Sequence, residues 1–176
     1  MDFNELINKR YSCRNFAKRP LEQEKLLTII DQARLAPSAV NGQPWFVHAV
    51  SQAETMKKVI TACTGLGMNR FIHQAQAFFV VTETRDKLIS TTISKIKKLD
   101  FQTIDIGIFI AYLSLAATSQ GLGSCILGWF NEKQLQEALN LPKSEKVRIV
   151  IALGYPESDE VKPKKRKSLN QISKFH

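Results

Sequence analysis

The sequence predicts an α+β sandwich: a mixed, mostly antiparallel sheet with helices on both faces. Three observations carry this reading. Strand-like and helix-like segments follow one another without the strict alternation of a doubly wound fold. At 176 residues and 44% hydrophobic content, the chain is long enough for one compact domain, 1–176, with a real core. Finally, the stretch 101–120 is apolar on nearly every side and so belongs inside something, either the core or a subunit interface.

The elements follow in order. A short first helix covers 5–9, with Asp2 or Asn4 as its cap. A second runs over 21–35, where Leu26, Ile29, Ile30 and Ala33 fall at helical spacing after Pro20, and Pro37 stops it. Residues 45–50 have strand composition, and Ser51 with Glu54 reads as a capping box opening a helix over 56–63. Gly65 and Gly67 break the chain before a short helical piece at 69–74, and the continuous apolar run 77–81 is a buried strand. Residues 86–98 form an amphipathic, basic surface helix with Leu88, Ile89, Ile93 and Ile96 on one side.

Within 101–120, Gly107 costs roughly 1 kcal/mol relative to alanine, which predicts close approach by another backbone. Gly121 and Gly123 end that helix, and a strand follows at 125–127. Asn131 caps a helix through 139, and 147–153 is a strand closed by Gly154, Tyr155 and Pro156. The tail from 162 is basic, then weakly apolar.

Composition excludes several functions. The greasiest run contains Asp105, so it falls short of the roughly 20 uncharged residues of a membrane helix. The start of the chain has neither a basic leader nor an apolar signal core, which predicts a cytoplasmic protein. Cys13, Cys63 and Cys125 are an odd set without metal-ligand spacing, and His48, His73 and His176 are far apart, so no metal is expected. The net charge of +9 makes a nucleic-acid-binding module the distant alternative. Against it, the basic residues are scattered outside 95–98 and 162–167 and lack aromatic interleaving.

Arg10, Ser12 and Arg14 alternate, so an extended backbone after the first helix puts them on one side, where arginine forks could grip a phosphate. Taken alone, the cluster is equally a solvated helix terminus. The run at 162–167 is, by itself, a localisation signal or a disordered tail as readily as an anion site. Pro37-Ser38-Ala39-Val40-Asn41-Gly42-Gln43-Pro44-Trp45 offers amide side chains in a loop stiffened by two prolines, suited to a flat ring with carbonyls and an N–H.

The basic start and this loop together resemble the FMN-dependent nitroreductase family, whose P-S-x-x-N-x-Q-P-W signature is matched at every defining position. The resemblance implies a three-layer sandwich assembled as an interlocked homodimer. It implies FMN as cofactor, with Arg10, Tyr11, Ser12 and Arg14 near the phosphate, joined by Lys164 and Arg166 as the C-terminal segment of about 162–176 closes on it. The loop carrying Pro37, Ser38, Ala39, Asn41 and Gln43 would reach the flavin from the neighbouring subunit, and Asn69 would face the pyrimidine side. Leu127, Gly128 and Trp129 match the segment whose backbone amide bonds flavin N5, where glycine lets the backbone come close.

The activity so implied is reduction of nitroaromatics, quinones or similar flat acceptors by NADH or NADPH through FMN, in ping-pong fashion. No catalytic side chain is expected, because the flavin carries the hydride and the protein positions and tunes it. Flavin fragmentation and reductive dehalogenation are the nearer alternatives. Relatives of that kind insert a lid between the middle strands, and this chain has little spare length for one.

Overall fold

The computed structural model describes residues 1–84, 99–161 and 163–176; the amphipathic segment expected at 86–98 lies outside them. Its elements are α1 (Phe3–Lys9), α2 (Gln23–Ala33), β1 (Trp45–Val50), α3 (Ala53–Cys63), β2 (Ala77–Glu83), α4 (Phe101–Ser119), β3 (Gly123–Leu127), α5 (Glu132–Ala138), β4 (Lys146–Gly154) and α6 (Leu169–Ile172). Short 3-10 turns sit at Ala39–Asn41, Gly65–Gly67 and Arg70–Gln74. Asp2 caps α1 by accepting the Glu5 N–H at 2.8 Å, and Asn131 caps α5 by accepting the Gln134 N–H at 3.1 Å.

The capping box expected from Ser51 and Glu54 does not form. β1 ends at Val50, paired with Phe78, and α3 takes Gln52 as its N-cap, one position late for that box.

The strands are ordered β1-β2-β4-β3 and pair antiparallel throughout. The parallel component expected of a mixed sheet reduces to one bridge, Ser12 with Ser124. β2 is buried along its length, which explains its unbroken apolar run. It ends in Glu83, which pairs with Arg148 of β4 through an Nε–H···Oε2 bond of 2.6 Å.

Helices cover both faces. On one, Phe79, Val81, Ile151 and Leu153 pack against α2 and α4 through Ile29, Phe109 and Leu113. On the other, Phe78, Val80, Val150 and Ala152 meet Val59 of α3 and Leu135 of α5. α4 has the length and apolarity of a membrane span, yet eight of its residues are buried in the sandwich. Its remaining face is exposed at Ile104, Gly107 and Ala111. A Cβ on Gly107 would meet nothing within 4 Å, so no backbone of the described residues makes the expected close approach.

Gly123 is constrained. A Cβ there would lie 2.7 Å from both Cβ and Sγ of Cys13, which runs alongside β3 at that point. Gly123→Ala is therefore expected to destabilise the fold by about 1–3 kcal/mol through overpacking, read as a lower urea midpoint at unchanged m-value.

Candidate functional site

The basic segment follows from the way α1 ends. Arg10, its C-cap, is extended (φ −61°, ψ 120°) while its N–H still bonds the Leu6 carbonyl at 2.9 Å. The chain then runs straight along the open edge of β3, with the Cys13 N–H donating to the Ser124 carbonyl at 2.9 Å. Extended backbone alternates sides. Cys13 is accordingly buried, while Arg10, Ser12 and Arg14 line a surface cleft of about 720 Å³.

The C-terminal segment forms the opposite wall of this cleft with Lys164, Lys165 and Arg166. Five cations thus surround one opening, opposed by Glu160. Two of them feel their surroundings. Burial and then the Arg166 charge pull the Arg10 guanidinium below its usual range, and burial with Arg10 and Arg166 does the same to Lys164. A bound dianion would reverse this mutual repulsion, so the donor chemistry fits a phosphate. Tyr11 also lines the cleft. Burial, followed by its hydrogen bond to Cys13 Sγ at 3.6 Å, pushes the phenol up to about 12 and keeps it protonated.

Lys164 spans the two walls. Its Nζ donates to the carbonyls of Ile7 at 2.5 Å and Asn8 at 2.6 Å, the unsatisfied acceptors at the end of α1. Beyond it, Ser168 and Gln171 form a capping box for α6. Leu169, Ile172 and Phe175 there are 78%, 65% and 98% exposed, an apolar row without cover among the described residues.

A second group lies beside β3. Asn69, in the left-handed region at φ 53°, donates its amide to the carbonyls of Cys63 at 3.1 Å and Trp129 at 3.2 Å. The Trp129 indole N–H returns a bond to the Gly65 carbonyl at 3.1 Å. These bonds stitch the 65–69 turn to the end of β3, where Leu127 is buried and Gly128 is exposed with open space beside it. Arg14 connects this group to the cleft, its guanidinium lying 5.9 Å from the centre of the Phe71 ring.

The loop of Pro37, Ser38, Ala39, Asn41 and Gln43 stands apart. The Gln43 N–H donates to Ser38 Oγ at 3.0 Å, and the Gln43 amide donates to the Asn41 carbonyl and Oδ1, both at 3.2 Å. Val40, Asn41 and Gln43 have φ of 47°, 57° and 44°, a conformation costing of the order of 1 kcal/mol per non-glycine residue. The loop touches α4 near its first turns, where the Ala39 N–H meets the Asp105 carboxylate. Ser12, by contrast, pairs with Ser124 just past the far end of that helix. At about 1.5 Å per residue, roughly 20 Å of helix separates the two groups within one chain.

The structure therefore gathers Arg10, Tyr11, Ser12, Arg14, Lys164 and Arg166 at one cleft, places Asn69, Leu127, Gly128 and Trp129 beside it, and leaves the 37–43 loop elsewhere. Sequence reasoning missed Lys165 and Glu160 in the cleft, and Asp105 behind the loop. Asp105 carried a signal, as the sole charged residue between 101 and 120.

Residues 7–67 and 64–155 match the nitroreductase family. A solved nitroreductase family protein of Clostridium difficile is 31% identical, with a TM-score of 0.80 over 99% of this chain and 98% of its own. The 4-nitrobenzoate reductase of Pseudomonas putida is 26% identical over 201 residues, covering 90% of this chain and 87% of the relative. The FMN reductase (NAD(P)H) of Bacillus subtilis is 30% identical over 157 residues, 82% of this chain and 62% of that protein. A protein of Exiguobacterium sibiricum solved in complex with FMN shares the fold at a TM-score of 0.84 and 20% identity.

The Lys164 bridge gives a test of how the cleft is closed. Lys164→Met, which removes both hydrogen bonds to α1, is expected to speed amide hydrogen exchange across 165–172 by about tenfold or more, with Lys164→Arg close to wild type.

Proposed function

The chain belongs to the nitroreductase family, and from that premise we propose that it is an FMN-dependent NAD(P)H oxidoreductase working as a homodimer. The observation that carries this reading is the cleft of five cations, whose charge and donor count suit a phosphate dianion. Arg10, Ser12, Arg14 and Arg166 hold the FMN phosphate, with Lys164 closing the tail over α1. Tyr11 forms the wall of the same cleft as a neutral phenol.

Bound FMN supplies the hydride chemistry, and the chain is asked for binding and electrostatics rather than an acid–base pair. The exposed backbone at Gly128 would hold the ring edge, with Asn69, whose amide bonds two carbonyls, and Leu127 and Trp129 as the adjoining residues that would contact its pyrimidine side. NADH or NADPH and a flat acceptor, a nitroaromatic or a quinone, use the same opening in turn, which gives ping-pong kinetics.

A second copy of the chain completes the site. The signature loop and the cationic cleft lie toward opposite ends of α4, which supports a site shared between two subunits. The loop of the partner subunit, with its serine, asparagine and glutamine, covers the ring and ribityl chain instead. Two apolar surfaces support this assembly: the strip of Ile104, Gly107 and Ala111 on α4, and the exposed row of Leu169, Ile172 and Phe175 in the tail. Gly107 is the point at which the partner's backbone comes close, which accounts for a glycine inside a helix.

Two measurements check the proposal. Arg14→Ala and Arg166→Ala should each raise the FMN dissociation constant by roughly ten- to a hundredfold in fluorescence-quenching titrations, and unchanged affinity in both would remove the phosphate assignment. Gly107→Leu should yield a monomer that has lost its flavin absorbance and its NAD(P)H oxidation; a yellow, active monomer would refute the shared site.

A further inference from the structure

Asp105 is a buried carboxylate, 6% exposed, in a helix otherwise free of charge. Among the described residues it forms no ion pair, and both its oxygens face a single donor, the Ala39 N–H, at 3.2 and 3.1 Å. One helical turn later, on the same face of α4, Phe109 stacks on Trp45 with ring centres 4.5 Å apart and planes 4° from parallel. These two contacts bracket the signature loop. Between them stand Val40, Asn41 and Gln43, all in the left-handed region. Non-glycine backbone persists there only where its surroundings over-determine it. The Gln43 N–H on Ser38 Oγ closes the loop upon itself but does not fix it to the rest of the fold. At its C-terminal end the Pro44 carbonyl accepts the Thr84 N–H at 3.2 Å, and Phe109 stacks on Trp45; at its N-terminal end the contact is Asp105.

We propose that Asp105 is a positioning residue for flavin binding: with Phe109 it staples the signature loop to α4, so that Ser38, Asn41 and Gln43 are preorganised for the ligand at the partner's site. This rests on the FMN reading above. The requirement is for an acceptor rather than a charge. Asparagine at 105 can still accept the Ala39 N–H through Oδ1, whereas alanine leaves that amide without its partner and the loop free to leave its left-handed conformation.

The test is FMN titration of dimeric wild type, Asp105→Asn and Asp105→Ala, with circular dichroism recorded on the same samples. The expected result is a dissociation constant raised about tenfold or more in Asp105→Ala and within about threefold of wild type in Asp105→Asn. A folded Asp105→Ala that binds FMN like wild type would overturn the staple, as would an Asp105→Asn as weak as the alanine variant. A wild-type chain that takes up no FMN would instead overturn the flavin reading, and this role with it. Should Asp105→Ala fail to fold, exchange of the Ala39 amide in the wild-type holoprotein decides the matter. The staple requires that amide to exchange at least about a hundredfold slower than an open loop does, and exchange at the open-loop rate would overturn it.

Discussion

Burial of one face of α4 against α2 and the sheet is the interaction on which the rest of the molecule depends. Ile106, Phe109, Ile110 and Leu113 supply the contact, and full burial of each such side chain contributes about 1.5–3 kcal/mol. Because the helix is apolar nearly all round, satisfying one face leaves the other unsatisfied at Ile104, Gly107 and Ala111. The same helix sets a distance, carrying the signature loop near one end and the β3 edge past the other. The rod thus holds the two groups of candidate site residues apart within one chain and leaves an apolar strip uncovered between its ends.

The cationic cleft has a different origin. It is made by backbone hydrogen bonding, not by the core. The segment after α1 adds itself to β3 through the Ser12–Ser124 bridge and the Cys13 N–H, and its alternation turns charge outward while the thiol goes in. Phe16 and Ala17 continue the seam past β4 through Pro156 and Tyr155. On the far side, Lys164 uses the unmet carbonyls of α1 as its anchor. Like charges are thereby held near one another by neutral contacts.

Much of this was legible in the sequence because it rests on local periodicity. The two-residue alternation of Arg10, Ser12 and Arg14 and the unbroken apolar run of β2 each dictate their own geometry. The 37–45 motif was legible as a signature, although its left-handed backbone at Val40 and Gln43 was not, since neither residue type favours that region. Ser51 and Glu54 misled because a cap motif marks a helix start only to within a residue or so, and α3 starts after Gln52. Asp105 was visible only as an anomaly in an apolar helix. Its role depends on a contact across 66 residues of chain, which no local pattern encodes.

The close approach of Cys13 to Gly123 constrains what either position can hold. With no room for a Cβ at 123, any side chain there must wait for a smaller residue at 13, and a larger residue at 13 finds no relief while Ser12 and Arg14 remain fixed to either side. The two positions form one steric unit, so a larger side chain at either is accommodated only with a compensating change at the other.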